Sequence, residues 1–144
     1  MHPNDLQDDD CFALRQASRH ISNLYEHYLS EAGITPTQFS ILRTAGNCPS
    51  LTMARLAKAM VMDRTTLLRA LKPLLQRGLV AAPSEGQSHR RLRIVLTRSG
   101  LTKLDEAVVY WGTAQARFER SFGKQQAAHL RTELFRMTGN VSEE

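Results

Sequence analysis

Long apolar runs are missing from this sequence. None approaches the ~20 residues that a membrane-spanning helix needs, so no span is expected. Cysteine is scarce, with Cys11 and Cys48 alone. Two cysteines do not make the disulfide framework of a small secreted protein, and they fit a reducing compartment. The start of the chain also lacks a basic segment followed by an apolar one. Asp5, Asp8, Asp9 and Asp10 make it acidic instead, which argues against secretion and for the cytoplasm. The histidines are scattered, and none stands at a short metal-ligand spacing. No metal and no cofactor is expected. There is no Ser/His/Asp-type constellation, paired-carboxylate site or phosphate-cradling glycine loop, so an enzyme is not expected. Internal repeats and low-complexity tracts are absent as well.

Acidic residues are sparse in one place, and that scarcity is informative. From Leu51 to Arg98 there are ten Lys/Arg and two acids, Asp63 and Glu85, a net of +8. The whole chain carries +5, so the remainder sums to −3. A basic pI alone fits membrane surfaces and RNA as well as DNA. A basic block inside an otherwise acidic chain points to a polyanion. The 144 residues suit one domain, and 42% hydrophobic content supports a folded core.

Periodicity sets out a mainly helical chain. Leu14, Ala17, Ile21, Leu24, Tyr25 and Tyr28 fall at three- and four-residue spacing, predicting an amphipathic helix from Cys11 to about Ser30, ended by Gly33. Thr35 as cap, Pro36 at the first helical position and Gln38 closing a capping box start a second helix. Ile34 and Phe39 stand where a hydrophobic staple would. Gly46, Asn47 and Pro49 should break this helix after about Ala45. The same start signal recurs at Thr52, for a short helix to about Ala59 with Leu51 and Leu56 as staple. It recurs again at Asp63, for a helix to about Arg77 with Met62 and Leu67 as staple. Three residues separate this pair, which makes a helix-turn-helix, and Gly78 is a good stop. Pro73 lies inside the second helix of the pair and predicts a bend or a tightened turn.

Leu79–Ala82 and Arg90–Thr97, around a polar tip, read as the two strands of a wing. In the second strand Leu92, Ile94 and Leu96 point one way, Arg91 and Arg93 the other. A long helix from about Arg98 to Phe122 carries Leu101, Leu104, Val108, Trp111, Phe118 and Phe122 near a seven-residue rhythm. After Gly123 a last helix carries Ala127, Leu130, Leu134 and Met137. The expected fold is mainly α with a small β-wing: a winged helix-turn-helix over residues 46–97, flanked by dimerisation helices over 11–45 and 98–140.

The helix beginning at Asp63 is the candidate recognition helix. Leu67, Leu71, Leu74 and Leu75 share one side and should pack inward. Thr65, Thr66, Arg69 and Lys72 spread over the other, and Arg64 lies in the first turn, the end that usually enters the major groove. Arginine pairs bidentately with guanine, and threonine touches a thymine methyl or a phosphate. Lys72, further along, suits backbone charge. The wing offers His89, Arg90, Arg91 and Arg93; Arg90 is nearest the tip and suits a narrow minor groove, while for Arg91 and Arg93 plain solvent on the strand is the alternative to a DNA contact. For any one of these residues, an ordinary solvated side chain is the alternative. A helical adaptor with a basic face for an acidic protein partner is the competing function, and it would show no sequence preference on DNA.

Met62–Val80 (MDRTTLLRALKPLLQRGLV), Arg91–Gly100 (RLRIVLTRSG) and Gly33–Ala45 (GITPTQFSILRTA) together resemble the MarR family of bacterial transcriptional regulators. The resemblance spans about Cys11 to Met137. It implies an obligate homodimer whose terminal helices interlock and whose two winged lobes meet adjacent major grooves of a pseudo-palindromic double-stranded operator, most often as a repressor. It also implies an Asp-x-Arg wing tip, where this chain reads Ser88, His89, Arg90, so the charge that orients the arginine is missing.

The segment Cys11–Arg19 is similar to the start of the organic-hydroperoxide-sensing (OhrR) branch of that family. This implies a redox-sensing Cys11, with Tyr25 hydrogen bonding its thiolate. Arg15 and Pro36 stand where the branch carries tyrosines, and Asp8, Asp9 and Asp10 oppose thiol ionisation while Arg15 favours it. An inert interface cysteine is the alternative. The other release mode the family implies is a small aromatic or anionic effector between the dimerisation helices and the winged lobe. Arg15, Arg19 and Arg43 are candidates for its carboxylate.

Overall fold

A computed structural model describes residues 5–83 and 92–139. In chain order the elements are α1 (Asp10–Leu29), α2 (Pro36–Asn47), α3 (Met53–Met60), α4 (Arg64–Gln76), β1 (Val80–Ala81), β2 (Val95–Leu96), α5 (Arg98–Phe122) and α6 (Lys124–Thr138). A short 3-10 turn precedes α1 and another, Ser30–Ala32, follows it. The architecture is the expected one, mainly helical with a two-stranded antiparallel wing between N- and C-terminal helices.

The start signals act as the sequence implies. Thr35 Oγ1 accepts from the Gln38 N–H at 3.1 Å while Gln38 Oε1 accepts from the Thr35 N–H at 3.0 Å, closing a capping box. Thr52 Oγ1 accepts from the Arg55 N–H at 3.2 Å, Asp63 Oδ1 from Thr66 at 2.7 Å, and Thr97 Oγ1 from Gly100 at 3.0 Å. A threonine cap of this kind contributes about 1 kcal/mol.

Three segments end on one motif. Gly33, Val61 and Gly78 adopt left-handed backbone at φ 71°, 52° and 69°. In each case the next residue's N–H reaches back five positions, from Ile34 to Leu29 O, Met62 to Ala57 O and Leu79 to Leu74 O. Two glycines take this conformation freely; a β-branched valine meets a cost of roughly 1–2 kcal/mol. With only Val61, Met62 and Asp63 between α3 and α4, the chain has to reverse at that position.

The core is continuous through both halves of the chain. Ile41 and Leu42 of α2, Leu56 of α3, and Leu67, Leu71 and Leu74 of α4 are essentially inaccessible, and Ile94 and Leu104 join them. Full burial of each large aliphatic side chain stabilises by roughly 1.5–3 kcal/mol. No polar or charged side chain is buried among the described residues. Ala107 and Ala114, seven residues apart on α5, are fully covered; their small side chains let α5 lie close against its neighbours. Gly100 is constrained harder, since a Cβ there would overlap the Leu79 carbonyl oxygen and stand 2.6 Å from Leu96 Cδ1.

Several expectations need correction. Leu75, expected to face inward, is 39% exposed. At 100° per residue it sits roughly 70° from the centre of the face held by Leu67, Leu71 and Leu74. Helix α2 does not break at Gly46 but runs to Asn47. A Cβ at Gly46 would stand 3.3 Å from Leu104 Cδ2 and from Leu96 Cδ2, so this glycine serves close packing. With Pro73 inside it α4 is continuous from Arg64 to Gln76, and the Arg77 N–H bonds the Pro73 carbonyl at 3.0 Å. Proline has no N–H to offer the Arg69 carbonyl one turn earlier. Among the described residues the wing ladder pairs Val80 with Leu96 and Ala81 with Val95, fewer than the predicted strands would allow. Before that ladder, the same segment pairs on its other side. The Met53 N–H bonds Leu92 O at 2.8 Å and the Ile94 N–H bonds Leu51 O at 2.9 Å.

Not all the apolar stripe is used within one chain. On α1 Leu14 and Ala17 are exposed, on α5 Leu101, Val108 and Phe122, and on α6 Leu130 and Met137. Trp111 and Phe118 of α5 are partly covered, and Tyr25 of α1 packs against the core.

Candidate nucleic-acid interface

The site follows from how α4 is held. Its inward leucines lock the helix rotation, and Asp63 fixes where its first turn begins. The opposite side then presents Thr65, Thr66, Arg69 and Lys72, with Arg64 in the first turn on the flank, all exposed. Among the described residues, the salt bridges are Lys103–Glu106 and Arg136–Glu133, neither of them on α4. Among the described residues, none of the cations on α4 is held in an ion pair. Arg55 and Lys58 of α3 add two more exposed cations beside the turn into α4. The face can supply several N–H donors and a field of one sign.

Asp63 is the one acid there. Two hydrogen bonds from Thr66, backbone first and side chain second, hold its carboxyl below the ordinary range, with the Thr65 N–H adding to them. Its charge at the helix N-terminus complements the helix dipole.

The wing supplies less than expected. Arg90 and Arg91, with Ser88 and His89, lie outside the described residues. Arg93, expected to face solvent, donates from Nη2 to the Pro49 carbonyl at 3.2 Å and so ties the wing base to the loop before α3. Alternating sequence cannot reveal such a contact, since Pro49 is 44 positions away.

The sensing residues are not brought together in one chain. Cys11 is exposed in the first turn of α1. Tyr25 lies 14 residues further along the same helix, about 21 Å away. The Tyr25 hydroxyl donates to Gln115 Oε1, and Gln115 Nε2 in turn donates to Glu119 at 3.1 Å. Burial first, and Glu119 second, raise the Tyr25 pKa against the pull of Arg131. Arg15 and Arg19 line a shallow open depression on α1 with Leu14 and Ser18. Arg43 instead lies 4.5 Å from the Trp111 ring centre and 5.8 Å from that of Phe39. Those two rings stack at 6.1 Å, making an aromatic plate with a guanidinium across it. Among the described residues no three His, Cys, Asp or Glu side chains stand close enough to hold a metal, and no helix is long and apolar enough to cross a membrane.

A capped helix pair, a two-stranded wing and flanking long helices define a winged helix-turn-helix protein. The sequence pattern of the MarR family matches residues 34–85. The regulator SarZ of Staphylococcus haemolyticus is 30% identical over 96 residues, 67% of this chain and 65% of that protein. The match therefore spans just under two thirds of that relative's length. The organic hydroperoxide resistance transcriptional regulator of Bacillus subtilis is 29% identical over 108 residues, 75% and 74% of the two chains. The crystal structure of the M. tuberculosis transcriptional regulator MosR in complex with DNA is 32% identical, with a TM-score of 0.81 over 92% of this chain and 96% of that one. The chain belongs to the MarR family of transcriptional regulators.

Asp63 gives the site a pH signature. Its folded pKa is lowered, so its contribution is full above the unfolded value and is lost as pH falls through the folded one. Asparagine caps about as well but does not titrate there. From about pH 5 to about pH 2, the melting temperature of Asp63→Asn should therefore rise relative to that of the unaltered protein. A constant difference across that range would contradict the capping role.

Proposed function

We propose that this chain is a homodimeric, sequence-specific double-stranded-DNA-binding regulator, acting most often as a repressor on a pseudo-palindromic operator. The observation that carries the reading is the outer face of α4. Five exposed polar or cationic side chains stand there on a helix whose rotation the core fixes. In this reading Arg64 and Arg69 meet base edges, Thr65 and Thr66 meet methyls or phosphates, and Lys72 meets backbone. Arg90 and Arg91 are carried as wing contacts from the sequence alone. Residues 46–97 form the DNA-binding lobe, and 11–45 with 98–140 form the pairing helices. The uncovered apolar side chains of α1, α5 and α6 support a second copy there. The working place is the cytoplasm, where the DNA is, and the role is not enzymatic. The MosR complex supports the DNA, since that neighbour's crystal holds it.

Two release modes are proposed. One is a small aromatic or anionic effector meeting Arg43 above Trp111 and Phe39, where a flat ring can stack and a carboxylate can pair. Arg15 and Arg19 are its other candidate contacts. The other is oxidation of Cys11, supported by its exposure and by the name of the Bacillus subtilis relative. A hydrogen bond between Cys11 and Tyr25 would have to cross between subunits.

Duplexes selected from a random pool test the main reading. Arg69→Ala should weaken binding to a selected duplex by ~1–3 kcal/mol and binding to random duplex by less. Lys72→Ala should weaken both alike and lower the salt slope by about one. Equal loss on both duplexes for Arg69→Ala would contradict base reading. Peroxide in the same assay separates the release modes. Release that Cys11→Ser abolishes assigns the thiol, and unchanged binding removes it.

A further inference from the structure

We propose that Leu68 is a specificity-determining residue that reads a thymine methyl group in the major groove; the proposal rests on the DNA-binding reading above. Leu68 is 45% exposed on α4. It stands one turn after Arg64 and one turn before Lys72, with Thr65 and Arg69 beside it. At 100° per residue its direction falls between those of Arg64 and Lys72, on the flank of the cationic face and about 90° from the centre of the buried leucines. It is not one of the buried side chains of α4, since Leu67, Leu71 and Leu74 supply the inward face.

Single exposed leucines are common on protein surfaces and need no role. Leu68 differs from the others in its neighbours. Leu101, Val108 and Phe122 lie on the stripe assigned to a second subunit, and none of them is on α4. Leu68 instead stands between Arg64 and Lys72 in the first half of α4, while Leu75, the other exposed leucine of this helix, lies two turns further on at its C-terminal end. A duplex seated on Arg64 and Lys72 must press Leu68 against the groove floor. Most of that floor is polar, and a leucine would strip water from base donors and acceptors without replacing their hydrogen bonds. The one apolar feature the major groove offers is the thymine C5-methyl. Apposition of Leu68 to that methyl buries both from water, and a cytosine in its place would lose the contact. The leucine thus adds a base preference that the flanking cations cannot supply.

Uracil differs from thymine by that methyl alone and pairs identically, so replacing thymines one at a time in a selected duplex isolates the contact. The full-length protein should bind about fourfold more weakly when one particular thymine in a half-site becomes uracil, the value of one buried methyl. Leu68→Ala should bind the thymine duplex more weakly by a similar factor and be indifferent to that substitution. Leu68→Met, with an apolar side chain of similar volume, should keep the preference. Circular dichroism melting of both variants should match that of the unaltered protein, because the side chain is outside the core. Indifference of the unaltered protein to every such replacement, or a full methyl effect retained in Leu68→Ala, would overturn the proposal. Failure of the protein to enrich any duplex from the pool is a different result, which brings down the DNA-binding reading and this proposal with it.

Discussion

The rotation of α4 about its own axis is the constraint on which the rest of the structure depends. Leu67, Leu71 and Leu74 are at 1% exposure or less, and turning the helix would expose three large aliphatic side chains at once. That cost is several kcal/mol, more than any single surface interaction on the opposite side can return. The direction of Arg64, Arg69 and Lys72 is therefore set by the core beneath them. Asp63 caps the first turn, so the start of the helix is placed as well as its face.

The winged lobe is mechanically joined to the long helices. Arg77, just past α4, donates from Nη1 to the Gly33 carbonyl at 2.9 Å, and Lys103 of α5 donates to the neighbouring Ala32 carbonyl at 2.9 Å. Both cations sit at the corner where α1 gives way to α2, next to the carbonyl ends that a positive charge stabilises. Thr97 links the same region again, with Oγ1 2.6 Å from Gly78 O while it caps α5. A displacement of α1 against α5 would act on the end of α4 through these contacts. The aromatic plate of Phe39 and Trp111 joins α2 to α5 nearby, so a ligand that parted those rings would work on the same joint.

Much of this was legible in the sequence, for identifiable reasons. Helix starts are local chemistry: Thr35 with Gln38, Thr52 and Asp63 announce themselves within four residues and cap as read. The long helix runs from Arg98 to Phe122, as its apolar rhythm implied. What escaped was long-range or a matter of degree. Gly46 read as a breaker because Leu96 and Leu104, which close on it, are more than 45 residues away in sequence. Residues 51–53 read as a cap and a staple, and their pairing with Leu92 and Ile94 left no local trace. Leu68 and Leu75 were hidden among core leucines, since five leucines fall between positions 67 and 75 and only the packed helix shows which three point inward. Cys11 and Tyr25 were linked by resemblance alone, and one straight helix keeps them apart within the chain.

The central claim is that two such lobes, held at a fixed spacing by the uncovered stripe on α1, α5 and α6, read one duplex together. Hydroxyl-radical footprinting on a selected duplex tests it most directly. The account predicts two equivalent protected patches on one side of the DNA, their centres about one helical turn, ~10 base pairs, apart. A single patch, or protection spread evenly along the duplex, would contradict it.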